Sequence, residues 1–298
     1  MKKLLAVLLC MMLIVAGCDG YTMQEMDEKL QDNDILYMKL TGAQNVADKP
    51  FALRFEMKNK MEKAQRVTLE GTTINDYHID PDWEITLKPG EEKTVIVEWP
   101  IEKFEYNGVD VGGVKVIDLQ MLSYEAEKPD SIIWGYTDLV TIDDSKPYTY
   151  TDLEGCPMVL ENPDLEIAVL GFEKRADGLA VKVHSENVGE SLLDVKMTEA
   201  KIDGIPCDGT FAFTVSRGST YIKDLFFPSE ALEAAGIKDF KKLEWTRRTN
   251  MRRLSRLRRH SRVTSRSLPS RPNNRTSSNV SKMKNRGLDP GFLMAERA

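Results

Sequence analysis

Seven short stretches in the first half of the chain alternate apolar and polar residues: 35–40, 51–57, 67–74, 83–87, 93–99, 114–124 and 139–142. A period of two sends successive side chains to opposite faces, so each stretch predicts a strand with one buried face. In 93–99, Val95, Val97 and Trp99 fall on the same side. Gly, Pro, Asn and Asp punctuate the runs, as in Lys88-Pro89-Gly90. Short strands joined by such turns predict an all-β antiparallel sandwich.

The second half repeats the first. Adding 128 to the numbering carries Asn59 onto Asn187, Val67 onto Val195, Ile74 onto Ile202 and Gly90 onto Gly218, without a gap. The same shift carries Trp99 onto Phe227, Pro100 onto Pro228, Gly108 onto Gly236 and Val109 onto Ile237. These residue types are ones that geometry demands. A Gly eases a turn at positive φ, a Pro opens a helical turn and a Gly closes it. The expectation is two tandem sandwiches, 35–142 and 163–245, with 143–162 as a linker.

The first residues follow a different pattern. Lys2 and Lys3 precede an apolar run from Leu4 to Val15, and the small residues Ala16 and Gly17 lead to Cys18. This is the layout of an export signal. The run is too short for a hydrocarbon core of about 30 Å, which needs roughly 20 residues. Val15-Ala16-Gly17-Cys18 resembles a bacterial lipobox. The resemblance implies that 1–17 is a signal peptide cut between Gly17 and Cys18. It also implies that Cys18 carries a diacylglyceryl group holding the protein on the outer face of the cell membrane. Acyl chains contribute ~0.8 kcal/mol per buried CH₂, enough for a stable anchor when more than one is attached. Residues 18–34 are polar and acidic and read as a lipidated tether.

A second resemblance rests on the repeat itself. A strand ending in Asn187, the turn Asp203-Gly204, the hairpin Gly218 and a helix ending Gly236-Ile237 resemble a domain of exported Gram-positive lipoproteins. The first repeat departs from it, with Asn75-Asp76 and Gly108-Val109. The resemblance implies an immunoglobulin-like sandwich and no activity.

Charge divides the chain sharply. Residues 1–245 hold 26 Lys+Arg and 45 Asp+Glu, a net −19, whereas 246–298 hold 15 and 2, a net +13. Four Arg precede Thr246 and thirteen follow it. The first repeat continues through a long strand and a last one after Asp118, so the second appears truncated at Trp245. Residues 246–298 therefore read either as a disordered polybasic tail or as the product of a shifted reading frame. A genuine tail would bind anionic polymer or lipid through salt-sensitive contacts. Only Phe292 interleaves its cations, and nucleic acid is not expected as a partner.

Candidate chemistry is sparse. Cys156 and Cys207 are candidates for a disulfide, which an exported protein permits, and two free thiols fit the spacing equally. Asp76, His78, Asp80 and Asp82 recur at every second position, a weak candidate for a cation site. Pro81 interrupts that alternation, and the aligned stretch of the second repeat keeps only Asp208. His184 alternates with Val183 and reads as an outward strand residue beside Lys182. No Gly-x-Ser-x-Gly, zinc helix or phosphate loop occurs, so no cofactor is expected. Tyr77, Trp83, Trp99, Tyr106, Trp134 and Tyr136 gather in the first repeat, as core or as a sugar- or peptide-binding platform. The sequence thus predicts a non-catalytic module binding or spacing an envelope polymer or protein. Carbohydrate or solute recognition and, last, an envelope hydrolase are the alternatives.

Overall fold

The computed structural model describes residues 21–148, 150–239, 242–252 and 293–297. In chain order the first strands are β1 (Gln24–Asp32), β2 (Leu36–Gln44), β3 (Phe51–Asn59), β4 (Gln65–Leu69) and β5 (Thr73–Ile74). Next come β6 (Tyr77–His78), β7 (Glu84–Leu87), β8 (Glu92–Trp99), helix α1 (Ile101–Asn107), β9 (Val116–Glu125) and β10 (Lys128–Thr141). The second half carries β11 (Met158–Glu161), β12 (Leu165–Arg175), β13 (Gly178–Asn187), β14 (Leu192–Ile202), β15 (Ile205–Pro206) and β16 (Ala212–Val215). It ends with β17 (Thr220–Pro228), helix α2 (Ser229–Ala234), β18 (Lys242–Arg252) and β19 (Leu293–Arg297). The predicted all-β antiparallel class is the one observed.

The chain forms two compact units. Unit one comprises Met1–Glu70, Asp80–Glu105 and Asp110–Tyr148; unit two comprises Gly71–Ile79, Tyr106–Val109 and Thr149–Ala298. In unit one, β1-β2-β3-β8 form one antiparallel sheet, and β10-β9-β4-β7 lie side by side in the other. Met38, Phe55 and Trp99 of the first and Val67, Leu119 and Met121 of the second are fully buried. In unit two, β11-β12-β13-β17 and β14 with β16 and β18 contribute Val181, Leu225, Val195, Val215 and Leu243 to one core. Apolar faces of two sheets meeting in this way define a sandwich.

The duplication holds at the level of single hydrogen bonds. Asn59 Nδ2 donates to the carbonyls of Lys63 (2.8 Å) and Leu87 (3.1 Å). Asn187 Nδ2 donates to those of Ser191 (2.7 Å) and Val215 (3.0 Å), each 128 residues on. Phe51 pairs with Trp99 as Leu179 pairs with Phe227. Asn75 and Asp76 have φ of 49° and 69°, and Asp203 and Gly204 have 51° and 82°. The Asn75-Asp76 turn thus keeps the conformation of its Asp-Gly counterpart, since Asn and Asp tolerate left-handed backbone. Gly108 and Gly236, at φ of 67° and 69°, follow the two short helices as expected.

Several sequence expectations change. Gln24–Asp32, read as part of the tether, is strand β1, paired with β2. Only Leu30 of β1 is buried. Backbone pairing and the ion pairs Glu25–Arg54, Asp27–Lys39 and Asp32–Lys60 hold the rest. An edge strand needs little core, and a charged one resists pairing with other chains. Composition therefore misses it. In the same way β11 takes the end of the expected linker and pairs with β12. Segments 71–79 and 106–109, assigned to the first repeat, belong to unit two: Tyr77 pairs in parallel with Thr220, and Thr220 N donates to Asp76 O (2.8 Å).

The expected break at Trp245 also moves. β18 runs on to Arg252, pairing with β14 from Ile202 back to Leu192. A backbone ladder does not depend on side-chain type, so basic sequence continues the strand. β18 is the counterpart of β9, and β19 pairs with it in parallel over Lys242–Thr246. Residues 253–292 of the basic segment lie outside the described residues.

Candidate functional site

Gly17 and Cys18 lie outside the described residues, which begin at Tyr21. Among the described residues no helix is long and apolar enough to cross a membrane.

The thiols do not pair. Cys156 and Cys207 are both free. Cys207 is 6% exposed within the core of unit two, beside the hairpin that starts at β15. Cys156 is half-buried in the turn where its N–H donates to Leu153 O. Burial pushes both thiols above their ordinary pKa, which makes them poor nucleophiles.

Asp76, His78, Asp80 and Asp82 do not converge. Positive φ at Asp76 and Asp82 breaks the extended backbone that would have aligned them. His78 meets the Tyr221 ring at 4.4 Å between centroids. The ammonium of Lys103 donates to the Asp80 carbonyl (2.7 Å) and to the Asp82 carboxylate. No cluster of three metal-ligating side chains occurs among the described residues.

His184 corrects a second expectation. It is 4% exposed, because β13 is flanked by β12 and β17 and covered on both faces. Burial lowers its pKa below the ordinary histidine value.

Among the described side chains, the aromatics of the first repeat do not form a platform. Trp99 and Tyr77 are buried, and Trp99 packs against Phe51 at 5.3 Å. Trp83 and Tyr106 are half-buried and belong to different units. The side chains of Trp134 and Tyr136 lie outside the described set.

What unit two does assemble was not legible in the sequence. Tyr106 Oη donates to Asp224 Oδ1 (2.8 Å), and Arg175 Nη1 donates to Asp224 Oδ2 (2.8 Å). Arg175 Nε also reaches Glu173 (2.8 Å). The Lys182 ammonium sits 4.4 Å from the Tyr106 ring centre and donates to the Tyr106 carbonyl. Burial first, and the Asp224 hydrogen bond second, push the Tyr106 hydroxyl well above the ordinary tyrosine range. Burial pulls the Lys182 ammonium below its usual value. A phenol held protonated in this way is a donor and a fastening, not a base. Beside it run the ring pairs His78–Tyr221, Tyr221–Phe213 (4.9 Å, stacked) and Phe213–Phe211 (5.2 Å, edge-on). Tyr106 and Asp224 lie 118 residues apart, and no local motif announces their meeting.

No family model and no curated protein matches the chain. Among solved structures it is similar to the Salmonella enterica SafA pilin in complex with the SafB chaperone, at 13% identity and a TM-score of 0.24. The match covers 74% of this chain and 92% of the other.

Proposed function

We propose that this chain is a lipid-anchored exported protein whose two sandwiches form a non-catalytic module at the cell envelope, where they bind or space a polymer or protein partner. The observation that carries the reading is Cys18, placed directly after small residues at the end of an unbroken apolar run. In unit two, the polar side chains that meet make ion pairs and ring contacts, an arrangement suited to holding shape rather than to turnover.

The test is made on the chain expressed in a bacterium with its own leader. The protein fractionates with membranes, and mass spectrometry finds a mature N-terminus at a Cys18 carrying a diacylglyceryl group. Cys18→Ser moves it out of the membrane fraction. A protein cleaved elsewhere, or membrane-bound to the same extent as Cys18→Ser, overturns the reading.

A further inference from the structure

The two units differ at the end where the helix packs. In unit one, β2 and β3 are joined by residues 45–50, and this loop folds inward. Asn45 Nδ2 donates to Val114 O (2.8 Å), and a Cβ on Gly112 would stand 3.0 Å from Ala47 N. Phe104 of α1 fills the space beneath: it is 1% exposed and meets Phe51 edge-on at 6.1 Å. In unit two, β12 ends at Arg175 and β13 starts at Gly178, so only Ala176 and Asp177 join them. The position of Phe104 is taken by Leu232, and that of Phe51 by Leu179.

Where unit one is plugged, unit two has a cavity of about 130 Å³ that is open to solvent on one side. Leu179, Leu232 and Ile237 supply apolar walls, and Lys174, Arg175 and Lys238 the charged ones. Among the described residues no acidic side chain lines it. Lys174 is held by Asp239 (2.6 Å), and Arg175 by Glu173 and Asp224, from outside the lining. Among the described residues Lys238 makes no ion pair, and in a chain so acidic up to Trp245 this remaining cation at the rim favours an anion. Apolar walls with a few charged groups at the rim are the usual make-up of a small-ligand site.

We propose that this cavity binds a small amphipathic carboxylate. Its apolar part lies against Leu179, Leu232 and Ile237, and its head lies among Lys174, Arg175 and Lys238. A medium-chain fatty acid and the C-terminus of a short peptide ending in Leu share this chemistry.

The full chain carrying Cys18→Ser is titrated with octanoate, with a tripeptide ending in Leu and with octanol, and binding is read by calorimetry. Saturable binding is expected for at least one carboxylate, and the tighter of the two assigns the source. Leu232→Phe copies the plug of unit one and is expected to weaken binding by about tenfold or more while the protein stays folded. Lys238→Ala is expected to weaken it severalfold and to reduce its salt dependence. The proposal is overturned if neither carboxylate binds, if a folded Leu232→Phe protein binds as the parent does, or if octanol binds as tightly as octanoate. These outcomes do not depend on the fate of Cys18, so this proposal and the anchored-module reading fail separately.

Discussion

Asn59 and Asn187 close their sandwiches with the same hydrogen bonds, displaced by 128 residues. Both side chains are fully buried. Each joins the end of one strand to a carbonyl at the end of a strand in the opposite sheet: Leu87 of β7 for Asn59, Val215 of β16 for Asn187. Removing either amide leaves buried carbonyls without a donor. Asn59→Ala and Asn187→Ala are each expected to cost about 3 kcal/mol in denaturant unfolding. Asn59→Asp is expected to do as badly, because an ionised carboxylate cannot donate. A loss below about 1 kcal/mol in both Ala variants would show that the amides are not structural.

His184 sets an acid limit on unit two. Its pKa is lowered by burial, so the unfolded chain binds the proton more readily than the folded one. The stability it contributes is present above the unfolded histidine value of about 6.5 and is lost as pH falls below it. His184→Phe is expected to flatten the fall in melting temperature between about pH 7 and pH 5. An unchanged slope refutes the assignment.

Tyr106 sets the corresponding alkaline limit. Its pKa is raised, so the stability it contributes is complete below about pH 10 and is lost as pH climbs further. Tyr106→Phe also deletes the hydrogen bond to Asp224 (2.8 Å), for an expected loss of about 1 kcal/mol at neutral pH. Calorimetric scans at neutral pH and above pH 10 test both effects, and identical alkaline profiles for parent and variant would rule out the second.

Gly178 and Gly171 form a matched pair. A Cβ on Gly178 would stand 2.1 Å from the carbonyl oxygen of Phe227, whereas one on Gly171 meets nothing within 4 Å. Gly178→Ala is expected to destabilise by about 3 kcal/mol or more, and Gly171→Ala to stay within about 0.5 kcal/mol of the parent. Equal effects in thermal unfolding would contradict the close approach.

The strand register sharpens the question of the basic segment. Met121 pairs with Leu69 in unit one and is fully buried. At the matching place in unit two, Met197 pairs with Arg247. If the reading frame is shifted, the coding DNA beyond codon 245, read in one of its other two frames, yields an acidic alternating segment like residues 118–142. Its absence from both frames disposes of the shift.

Much of the fold was legible because it rests on local rules. Alternation locates β3, β8 and β9, and paired Gly and Asn positions reveal the duplication. β1 and β11 were not legible: their pairing uses backbone groups, which carry no signature in side-chain type. The burial of His184 is not legible either, because alternation separates the faces of a strand without telling whether both are covered.

The sequence by itself determined the all-β class and the twofold repeat, since each depends on the order of residue types over a few positions. Only the tertiary structure decided that Cys156 and Cys207 stay apart, that Asp76 and Asp82 diverge and that Tyr106 meets Asp224. It alone showed that a two-residue turn and a Leu in place of a Phe open a cavity in unit two. These outcomes depend on which distant strands pair and on how much space their side chains leave, and no short stretch of sequence contains that information.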